Sequence, residues 1–242
     1  MQRASGPAPR WPLAAAILLV SGYVFGSIGA PDRSVAAYFR GLRPDRRALL
    51  MTLPVLLLMP AILLLGHLLE RLMGGSPPIP YVFTASPLNW LPTIVFGLLS
   101  VAALTGGNEE HGWRGVMQPV LHKRVSPLVA AIMIAVVWDV WHFPLHLAGA
   151  YGDNMDLMAI FLQRLPGLVL QSIVLAAIYQ WSKGSIYLCI LYHASINTMV
   201  GFFAGNDTQL YPILVGVVVA AGLTVGLQLW KRDGFRPAAP RG

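Results

Sequence analysis

From Pro12 to Trp230 the sequence is a succession of apolar runs, most of them close to 20 residues long, separated by short stretches that hold most of its Lys and Arg. A helix rises about 1.5 Å per residue, so such a run crosses the roughly 30 Å of hydrocarbon in a bilayer. Within hydrocarbon every backbone N–H and C=O needs a partner, and a helix supplies one from its own chain. The expected fold is therefore all-α, a polytopic membrane helix bundle of about seven to eight transmembrane helices. Composition agrees: 56% of residues are hydrophobic and 11% charged, against about 25% charged in an ordinary soluble domain. The formal charge of +7 is spread in small clusters between apolar runs, the pattern of cytoplasmic loops, which excludes a nucleic-acid partner. The single cysteine, Cys189, lies in an apolar run and reads as packing, with no disulfide framework or Cys-x-x-Cys site.

The expected spans follow in order. Pro12 to Ala30 is the first, read as retained because Ile28 is a poor residue three before a cleavage site. A loop carrying Arg33, Arg40, Arg43, Arg46 and Arg47 precedes a second span, Ala48 to Leu72, kinked at Pro54 and Pro60. Gly74 to Pro87 reads as an extended connection and Leu88 to Thr105 as the third span. Asn108 is the expected N-cap of a helix with Glu109 and Glu110 in its first turn, too short to cross alone. Ser126 to Ala148, Leu165 to Trp181, Ser185 to Ala204 and Tyr211 to Trp230 complete the set. Counted over the loops, thirteen Lys and Arg fall on one side and four on the other, which sets the C-terminus inside and the glutamate block near the cytoplasmic face.

Charge within a span costs about 2.5 to 3.5 kcal/mol per residue on insertion scales and so marks function. The block from Asn108 to Gly115 holds two of the ten acidic residues. Helical spacing places Glu110 beside Arg114, Trp138 beside His142, and His193 beside Asn197. Glu110 with Arg114 forms an ion pair, and Glu109, about 100° round the helix, is left to face a cavity. A carboxylate and a neutral imidazole sharing one water make a general base, with His142 as the candidate imidazole. His193 and the Asn197 amide can donate to the oxygen on which charge develops. Ser195, two residues from His193, faces elsewhere and is no nucleophile.

Plainer readings stand beside these. A single intramembrane His serves packing about as often as function. Asp139 either orients a ring nitrogen of His142 or is the buried partner of an Arg. His146 reads as interfacial, Trp113, Trp138 and Trp141 as packing, and His67, His111 and His122 as structural. Glu109, His142 and His193 are also conceivable zinc ligands, although no His-Glu-x-x-His is present. A transporter or scaffold is the reading from another class, against which stands the lack of paired repeats.

Glu109-Glu110-x-x-x-Arg114, then Trp138-x-x-x-His142, then His193-x-x-x-Asn197, in that order on membrane helices, resembles the three motifs of the CPBP family of intramembrane glutamic endopeptidases. The family includes CAAX proteases and bacteriocin-processing enzymes. The resemblance covers Leu88 to Phe203, and Gly41-Leu42-Arg43-Pro44 is also similar. Trp138 departs from it, standing where the second motif usually has Phe. The resemblance implies peptide hydrolysis by activated water, with Glu109 and His142 as base, His193 and Asn197 as oxyanion donors, and Glu110 and Arg114 in support. It implies no metal or other cofactor, and as partners membrane lipid and a membrane-associated protein or peptide, prenylated in eukaryotic members. Residues 1–87 then form N-terminal helices and a basic loop, 88–204 the catalytic core, and 205–242 a last helix and basic tail, all one integrated domain in a bacterial cytoplasmic membrane.

Overall fold

The computed structural model describes residues 42–76, 86–148 and 156–203, with helical pieces at residues 24, 215–217 and 219–223. The first expected span, Pro12 to Ala30, its loop arginines Arg33 and Arg40, most of the Gly74 to Pro87 connection, much of the Tyr211 to Trp230 span and the basic tail lie outside the described residues.

Every described element is helical. Helix α1, Arg46–Leu72, starts where Asp45 accepts a hydrogen bond from the Ala48 N–H at 2.8 Å. Its buried positions, among them Val55, Met59, Ile62, Leu63 and Gly66, form one stripe at helical spacing, while Leu49, Leu50, Leu53 and Leu57 point outward. Pro60 has no N–H to give the Leu56 carbonyl, and Ser195 supplies the missing donor, its Oγ 2.9 Å from that oxygen.

Helix α2, Pro87–Leu104, is separated from α3, Gly106–Gly112, only by Thr105, whose backbone (φ −132, ψ −121) leaves helical space. A π-helical turn, Trp113–Met117, and helix α4, Gln118–His122, continue the same run. Together, residues Leu88–His122 make a 35-residue candidate span. The expected N-cap is therefore corrected: Thr105 occupies that place without a side-chain bond, and Asn108 is buried inside α3, where its N–H bonds the Thr105 carbonyl at 2.9 Å. Only Glu109 lies in the first turn.

Helix α5, Pro127–Trp141, capped by Ser126, ends earlier than the expected Ala148. His142 turns the chain into the short α6, Phe143–Leu147, where Pro144 cannot donate to the preceding turn. Helix α7, Leu157–Trp181, begins eight residues before the expected Leu165, because Asp156 caps it by accepting from the Met158 N–H at 2.8 Å. Helix α8, Ile186–Phe203, is the hub: it packs on α1, α2, α3 and α7, and α7 packs in turn on α5. In α5 the small residues Ala130, Ala131 and Ala135 face inward and Ile132, Met133, Val136 and Val137 outward. That is the arrangement of helices that approach closely in lipid. Four helices are long and apolar enough to cross a membrane, with a shorter apolar one at Ile186–Val200, among the described residues.

Candidate active site

The α3, α5 and α8 helices bring all three motif pairs together. Beneath lies a buried ionic layer. Arg114, fully buried, straddles the Glu110 carboxylate with Nη1 at 3.3 Å from Oε1 and 3.2 Å from Oε2. Its Nη2 donates to the Ser172 hydroxyl at 3.0 Å and the Ser172 carbonyl at 3.3 Å, which ties α7 to the site. His193 Nδ1 lies 2.7 Å from Glu110 Oε1, so the carboxylate fixes the plane of that ring and turns Nε2 the other way. Each charge in this layer meets an opposite charge or a hydrogen-bond partner, the condition for burying it.

Above it are the accessible groups. Glu109 and His142 are half-buried and Asn197 is exposed. Glu109 is less free than helical spacing suggests, because Oε2 accepts from the indole N–H of Trp138 at 2.7 Å and of Trp113 at 3.3 Å. Oε1 is left to meet a reactant. His142 Nδ1 is 2.8 Å from the Trp138 carbonyl oxygen, which can only accept, so Nδ1 carries the hydrogen and the neutral ring presents a lone pair at Nε2. Glu109 lies within Coulombic reach of this ring. A carboxylate oxygen and an imidazole lone pair are thus both available to take a proton from one water.

His193 and Asn197 converge where their spacing puts them. A Cβ built on Gly106 would meet Asn197 Nδ2 at 2.6 Å and His193 Cδ2 at 2.7 Å, with His193 Nε2 closer still. Two side-chain nitrogens therefore point at one small space beside the α3 backbone, a geometry suited to an oxyanion.

Of the two readings of Asp139, the structure has the ion pair: its Oδ1 lies 3.8 Å from Arg164 Nε, and Arg164 also contacts His146 Nε2. Arg164 is on α7. Ser195 is turned away to Leu56, as expected. Among the described residues no three His, Cys, Asp or Glu side chains converge as metal ligands.

Ser172 had no sequence signal, coming from a helix with no motif, and Gly106 lies just past the expected end of the third span, in the glycine break before the glutamates. Trp138, read as packing, bridges the site: indole to Glu109, carbonyl to His142, and ring edge-on to His193 with centroids 5.0 Å apart.

Residues 89–199 match the family model described as type II CAAX prenyl endopeptidase Rce1-like. The chain is similar to the CAAX prenyl protease 2 of Methanococcus maripaludis, with 32% identity over 186 residues, which is 72% of this chain and 65% of that protein. It thus spans about two-thirds of the length of the curated relative it matches, 65%. The matched region runs from the start of α2 into α8 and contains every residue of the three motif pairs, so it is over the motif-bearing helices that this chain is similar to the Rce1-like type II CAAX prenyl endopeptidases.

Proposed function

We propose that this protein is an intramembrane endopeptidase that hydrolyses a peptide bond near the C-terminus of a prenylated, membrane-associated protein, using water and no covalent intermediate. The observation that carries the reading is that Trp138 serves both groups, its indole N–H held by Glu109 Oε2 and its carbonyl oxygen by His142 Nδ1. Glu109 Oε1 and His142 Nε2 take a proton from water as its oxygen bonds to the carbonyl carbon. Asn197 Nδ2 donates to the resulting oxyanion, and so does His193 Nε2 when the ring is doubly protonated, its Nδ1–H being given to the Glu110 carboxylate that Arg114 neutralises. Collapse breaks the C–N bond, and the proton held by the base pair passes to the leaving amine. The prenylated substrate is supported by the name of the Methanococcus relative. The distribution of Lys and Arg supports an orientation with the Lys123 and Lys183 loops on the cytoplasmic side.

The test uses purified protein in detergent and a farnesylated peptide with a free C-terminus. Glu109→Gln and His142→Ala should each reduce kcat by about 10³-fold, the scale of lost acid–base catalysis. Cleavage by both variants at the wild-type rate would sink the mechanism. Full activity after rigorous metal removal is expected; loss that zinc restores would favour a metalloprotease instead.

A further inference from the structure

Gly106 lies one helical turn before Glu109, on the same face of α3, and its Cα faces the two nitrogens that converge there. We infer that Gly106 is a positioning residue for hydrolysis: its missing side chain holds open the space in which the substrate carbonyl oxygen meets His193 and Asn197. The inference rests on the peptidase reading and adds a residue that none of the three motif pairs contains.

The adjacent glycine shows why this is a separate role from close packing. A Cβ on Gly107 would run into the Ala102 backbone, 2.7 Å from Cα and 2.9 Å from the carbonyl oxygen, and into Ile190 Cγ2 at 2.9 Å. Gly107 therefore lets α3 approach its neighbours. A Cβ on Gly106 meets only side-chain ends among its nearest atoms, the His193 ring and the Asn197 amide. These two are not equally able to yield. His193 is buried, held at Nδ1 by Glu110 and packed edge-on against Trp138, whereas Asn197 is exposed and swings aside. A methyl group at position 106 overlaps the His193 ring as well as the Asn197 amide, so it fills the oxyanion space, pressing on a ring that is held and displacing an amide that is not. The carbonyl oxygen loses its seat, but the rest of the substrate still binds.

The experiment compares Gly106→Ala, Asn197→Ala and the double variant in the detergent assay, with thermal melting on each. Gly167→Ala is the control, since a Cβ there meets nothing within 4 Å. Gly106→Ala should still melt cooperatively, below wild type because the methyl presses on the held His193 ring, and lose about 10²-fold in kcat, the effect of removing an oxyanion donor, with KM changed little. In the Asn197→Ala background the same substitution should cost less than it does alone, because one of the two donors it displaces is already gone. Equal losses in both backgrounds, a rise in KM alone, wild-type cleavage by Gly106→Ala, or a collapse of its melting transition would each overturn the inference and leave Gly106 a packing glycine. Failure of the wild-type protein to cleave any farnesylated peptide would instead overturn the peptidase reading, and this inference with it.

Discussion

Trp138 stands where related sequences usually carry Phe, and the difference has a structural use. A Phe ring could pack against His193 but could not donate to Glu109, whereas the indole does so at 2.7 Å. Trp138→Phe should therefore keep the fold and lower kcat by about tenfold, the rate equivalent of one modest charge-assisted hydrogen bond. A rate equal to wild type, measured with unchanged melting, would show that the Trp113 indole alone orients Glu109. Arg114 is the opposite case. It is fully buried and its planar fork serves Glu110 and Ser172 at once. Arg114→Ala strands a buried carboxylate and should destabilise the protein by about 3–5 kcal/mol. Arg114→Lys should rescue little, because an ammonium cannot reproduce the fork. A chemical-denaturation series on the two variants checks both statements. The i,i+4 pairing of Glu110 with Arg114 was legible in the sequence; the Ser172 contact was not, because 58 residues and a different helix separate the partners.

At the scale of elements, Pro60 of α1 is tolerated because a tertiary contact takes up what it releases. Pro60 frees the Leu56 carbonyl, and Ser195 from α8 donates to it. Ser195→Ala should cost about 1 kcal/mol, in the range found for interhelical hydrogen bonds in membranes. Pro60→Ala restores the intrahelical donor, so in that background Ser195→Ala should cost almost nothing; additive losses in the double-mutant cycle would disprove the link. Helix boundaries show the same dependence on context. Asn108 has good capping chemistry, yet the run from α2 through α4 bends at Thr105 and draws Asn108 into the interior. The π-helical turn that follows spans Trp113 and Arg114, which hold Glu109 and Glu110 respectively. Such turns inside α-helices recur at functional sites.

Across the whole molecule, large apolar side chains face outward along α1, α2 and α5 while a polar centre is buried among α3, α5, α7 and α8. This suits a chain whose solvent is lipid, where outward Leu costs nothing and inward polar groups must find one another. Single-cysteine reporters test the proposed orientation. Cys189, fully buried, should stay silent. Lys123→Cys and Lys183→Cys should both react with a membrane-impermeant maleimide only in inside-out vesicles. Labelling of either in intact cells would reverse the orientation proposed from the basic loops.

The sequence alone determined that the chain is a helical membrane protein, because runs of this length and apolarity have no other way to satisfy their backbones in hydrocarbon. It also determined the three motif pairs, since each is set by the 3.6-residue repeat within one helix. What the tertiary structure decided is how those pairs meet. Glu110 belongs to His193 as well as to Arg114, both indoles hold Glu109, and Gly106 borders the donor pair. These contacts cross between helices far apart in the chain. They depend on where α8 packs against α3, and no local periodicity encodes that distance.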